Sequence, residues 1–127
     1  MTDSSARNDE SRATQAPIVV GVGASAGGLE ALQTLVAGLP QDHGFAVVIV
    51  QHLDPDYESL MAELLGRQTA TPVAEARDGE EVVGGRIYLI PPGREMTIRD
   101  GCLRLHPFAV PRGRRRPIDA FLGSLAQ

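Results

Sequence analysis

Residues Gly21 to Gly28 read GVGASAGG, a run of glycine and alanine around one hydroxyl, Ser25. Gly23-Ala24-Ser25-Ala26-Gly27 is a literal G-x-S-x-G, the spacing of a nucleophile elbow. Small residues on both sides of Ser25 let the backbone turn sharply and leave the hydroxyl exposed. The backbone N–H groups that follow, at Ala26 and Gly27, can face a developing oxyanion from a helix N-terminus. Two other readings use the same residues. Gly21, Gly23 and Ala26 fit the G-x-G-x-x-G/A fingerprint of a dinucleotide site, and Ser25 can be a helix N-cap. The dinucleotide reading needs an acid at the tip of the second strand, where this chain has Gln51 and His52. His52 instead favours the nucleophile over the cap, because a serine needs an adjacent base and a near-neutral imidazole is the usual one.

The flanking pattern supplies the elements that would hold this pair. Ile18 to Val22 is a short β-branched run that reads as a buried strand. Leu29, Leu32 and Val36 then fall at helical spacing, ended by Gly38 and Pro40. Phe45 to Val50 is continuously apolar, as in a strand covered on both faces, with Gln51-His52-Leu53 as its exit. Asp54 reads as an N-cap with Pro55 at the first helical position. Tyr57, Leu60, Met61, Leu64 and Leu65 follow as an apolar stripe. Strand–helix–strand order puts Ser25 and His52 at the same, C-terminal, edge of a parallel sheet.

Beyond residue 70 the strand-like pieces are short and read as hairpins: 72–76, 80–83, 86–90, 96–99 and 102–106, punctuated by turn dipeptides of which Asp100-Gly101 is the strong hairpin signal. Pro117 starts a last helix with Ile118, Phe121, Leu122 and Leu125 on one face. The fold class expected is α/β. It is a doubly wound, mainly parallel sheet with helices on both faces and a small antiparallel hairpin excursion, incomplete at the C-terminus because the helical pattern runs up to Gln127. Residues 1–16 are polar and read as a disordered tail, leaving 17–127 as the folded part.

Composition narrows the classes. The chain has 127 residues, enough for one core. All twelve cations are Arg, which removes a Walker A lysine and any lysine nucleophile. Residues 1–63 hold two Arg and nine acids, residues 64–127 ten Arg and seven acids. The net charge of −4 argues against general nucleic-acid binding. No apolar run approaches the ~20 residues needed to span a bilayer. A single cysteine, Cys102, and the absence of a secretory pattern lead to the expectation of a cytoplasmic protein without membrane insertion.

Four motifs together resemble the chemotaxis protein-glutamate methylesterase family of CheB type: VGVGASAGGLEAL at 20–32, VIVQHL at 48–53, EARDGEEVVGGRIYLIPPG at 75–93 and RRPIDAFLGSLA at 115–126. The resemblance implies Ser25 as nucleophile and His52 as general base. It implies hydrolysis of glutamate γ-methyl esters, with deamidation of glutamines in some members, on methyl-accepting chemoreceptor helices, and no metal or organic cofactor. It also implies a phosphorelay setting, with a receiver or methyltransferase domain as further partner. The family's catalytic aspartate lies in a Gly-Met-Gly…Asp-Gly turn beyond the last helix, so the third acid is not present in this chain and the sequence reads as C-terminally truncated. A non-catalytic, partner-binding remnant is the alternative, and a nucleotide-binding α/β module the more distant one.

Other residues have plainer readings. Arg112, Arg114, Arg115 and Arg116 form a solvated loop, or else attract Glu-rich receptor helices. Asp54, Asp56 and Asp119 read as first-turn helix acids. His43 and His106 share no ligand spacing with Cys102, and Pro91-Pro92-Gly93 reads as a tight turn.

Overall fold

A computed structural model describes residues 17–24, 28–40, 44–51, 58–91, 93–107 and 117–127; the N-terminal segment read as a tail lies outside them. The elements are β1 (Val19–Ala24), α1 (Leu29–Ala37), β2 (Ala46–Gln51), α2 (Glu58–Gly66), β3 (Val73–Glu75), β4 (Arg86–Leu89), β5 (Arg94–Arg99), β6 (Cys102–Pro107) and α3 (Pro117–Leu125). Four strands form one sheet in the order β1-β2-β4-β3, and every pairing in it is parallel. β5 and β6 make a separate antiparallel hairpin. This is the expected α/β architecture with its antiparallel excursion.

Side chains alternate across a strand, so the interior strands β2 and β4 feed two cores. Val47 and Ile49 of β2 with Ile87 and Leu89 of β4 face α1 and α2, where Leu32, Val36, Met61 and Leu65 complete the cluster. Ala46, Val48 and Val50 with Tyr88 and Ile90 face the other way, against Met96 and Leu103 of the hairpin and Phe121 of α3. All six residues of β2 are buried, in keeping with five of them, Ala46 to Val50, being apolar without alternation. The serine of α3 ties this helix to the hairpin: Ile98 N–H donates to Ser124 Oγ at 3.0 Å, and the hydroxyl donates to the Phe121 carbonyl at 2.7 Å.

The structure departs from the sequence reading in several places. The 72–76 and 86–90 pieces, expected among the hairpins, are parallel members of the main sheet. The missed signal is the unbroken Ile87 to Ile90 run, which is buried on both faces. The expected strand at 80–83 is a loop with one bridge, Glu81 to Cys102. Its backbone runs beside β6 and bonds there, through Gly79 N–H to the Leu103 carbonyl and Leu103 N–H to the Glu80 carbonyl. Tyr88, buried beneath this loop, accepts the Val83 N–H at 2.9 Å. Gln51 belongs to β2 rather than to its exit. Leu60 and Leu122 were placed on buried faces but are substantially exposed, because each sits next to a residue (Met61, Phe121) that takes the inward direction.

The Asp100-Gly101 turn forms as expected, with both residues at positive φ, 53° and 76°. A type I′ turn needs that conformation, which suits the strand twist. Gly23 has a different reason. A Cβ there would overlap the Ile118 side chain of α3, and one at Gly21 would stand 3.0 Å from Leu122 Cδ2 and 3.1 Å from Leu125 Cδ2. The two glycines let α3 lie directly on β1. Gly23→Ala is therefore expected to destabilise the fold by about 1–3 kcal/mol through overpacking, although glycine inside a strand is ordinarily the less stable of the two. In the Ile118→Ala background the same change should cost much less, a non-additivity that urea unfolding of the four variants would measure.

Candidate active site

β1 and β2 pair in parallel from Val19 opposite Ala46 to Ala24 opposite Gln51. Both strands thus end at one level, at the C-terminal edge of the sheet. The next residue along the chain is Ser25 after Ala24 and His52 after Gln51. Neighbouring strands run about 4.8 Å apart. The two chain segments that carry the expected nucleophile and base therefore leave from adjacent paired residues. Ser25, Ala26, Gly27 and His52 themselves lie outside the described residues.

α1 follows β1 in the chain, and its N-cap is Gly28, a residue with no side chain to cap the helix. The helix carries Glu30 in its first turn, and Leu32 and Val36 bury its inner face. The N-terminus of a helix carries unpaired N–H groups and positive potential. Gly21 and Gly23, two of the residues shared with the dinucleotide fingerprint, lie inside β1, and the space at both is filled by α3. Close helix packing accounts for them.

The remaining candidates fall as follows. His106 is exposed on the hairpin, with Nε2 3.0 Å from Thr97 Oγ1. Cys102 is half-buried beside the Glu81 bridge. Asp119 occupies the first turn of α3, as its reading as a helix acid expects. Two acids not singled out by the sequence hold backbone instead: Asp78 Oδ1 accepts the Leu105 N–H at 2.9 Å and Glu80 Oε1 the Arg77 N–H at 3.0 Å. His43, Asp54, Asp56, Tyr57, Pro92, Arg112 and Arg114 to Arg116 lie outside the described residues. Among the described residues no three His, Cys, Asp or Glu side chains gather as a metal site. No described helix is long and apolar enough to cross a membrane.

Residues 20–127 match the CheB methylesterase family, and the chain belongs to that family. It is 38% identical over 113 residues to protein-glutamate methylesterase/protein-glutamine glutaminase 2 of Pseudomonas aeruginosa, covering 86% of this chain and 32% of that protein. The corresponding protein 1 of Myxococcus xanthus is 36% identical over 119 residues, 91% of this chain and 34% of its own length. A protein of the same name from the group 2 operon of Bradyrhizobium diazoefficiens is 46% identical over 86 residues, 67% of this chain and 22% of its own. The crystal structure of the Thermotoga maritima CheB methylesterase catalytic domain superimposes with a TM-score of 0.74 at 28% identity, over 88% of this chain and 61% of that one. The chain thus spans between about a fifth and a third of the length of these curated relatives.

Proposed function

We propose that this chain carries the nucleophile and the base of a serine methylesterase that acts on glutamate γ-methyl esters of chemoreceptor helices. The observation that supports the reading is the in-register end of β1 and β2, Ala24 opposite Gln51, from which the chain enters Ser25 and His52. Ser25 Oγ attacks the ester carbonyl carbon while His52 takes its proton. Backbone N–H groups of Ala26 and Gly27, at the entry to α1, hold the oxyanion. Collapse breaks the bond to the methoxy oxygen, and His52 returns the proton so that methanol leaves. Water then repeats the sequence on the acyl-serine and releases the glutamate. With a glutamine substrate the leaving group is ammonia, in line with the glutaminase part of the relatives' names.

Substrate and partners belong to the same proposal: receptor signalling helices as substrate, and a receiver or methyltransferase domain as regulatory neighbour. A second reading, a partner-binding piece without turnover, is favoured by one observation, the 61% share of the Thermotoga catalytic domain that the chain covers. Labelling with a serine-directed fluorophosphonate separates the two. The esterase reading expects stoichiometric labelling of the wild type, mapped to Ser25 and lost in Ser25→Ala. Absence of labelling in both proteins leaves the binding reading.

A further inference from the structure

We draw no further inference here: the strongest candidate, the outer edge of β1 with its exposed Ile18 and Val20, is an unpartnered apolar face, and nothing in the structure shows what covers it.

Discussion

Ser25→Ala and His52→Ala are each expected to reduce receptor demethylation by about 10⁶ in a chain that also contains the family's aspartate, with the melting transition nearly unmoved. The size follows from how such residues act. Members of a nucleophile–base unit fail together, so removing either costs about as much as removing both. The stability expectation follows from position. Both residues come next in the chain after Ala24 and Gln51, the last paired residues of β1 and β2. Truncating a side chain that is not part of a core usually changes stability by no more than about 0.5 kcal/mol. Demethylation of a methylated receptor fragment, followed by methanol release, and a thermal melt of each variant are the two measurements. A variant with wild-type turnover removes that residue from the mechanism, and a lost melting transition shows that it was holding the fold.

The second large effect concerns the outer edge of β1. β2 is interior to the sheet, paired with β1 on one side and β4 on the other. Its neighbour β1 is an edge strand, with β2 as its one partner among the described strands, as β3 is at the other end of the sheet. Ile18, just before β1, is 66% exposed, and Val20 within it 39%. An edge of this kind exposes backbone donors and acceptors beside apolar side chains and pairs readily with other chains. The Thermotoga domain contains residues with no counterpart in this chain. Extending the chain by the matching segment is expected to raise the melting temperature by on the order of 10 °C, from a few kcal/mol of added burial. It should also raise turnover about 10⁴-fold by supplying the acid that orients the imidazole of His52 and stabilises its charged form. Sedimentation, melting and demethylation of the two chains side by side check this. If the 127-residue chain is monomeric, melts cooperatively and matches the extended one in turnover, then an acid already present, Asp54 or Asp56 first, serves His52.

The elements that frame the site were legible because their signals are local. An all-apolar run of six residues is a strand buried on both faces, and Leu32 with Val36 marks the inner side of α1. Asp100-Gly101 fixes a hairpin because its two positive φ angles are intrinsic to the turn. The G-x-S-x-G run and the imidazole after the second strand were equally local, since they require only residue types in chain order. What the sequence could not determine by itself was set by long-range contact. Whether 72–76 and 86–90 pair with each other, with the main sheet or with the hairpin depends on partners far along the chain, and short strands carry too little pattern to choose. Gly21 and Gly23 looked like room for a phosphate in the sequence, yet the room belongs to Ile118, Leu122 and Leu125, about a hundred residues later. Gln51 looked like a residue leaving the core. Only the pairing with Ala24 and the cover over β2 make it a buried amide, because burial is a property of what packs around a residue and not of the residue itself.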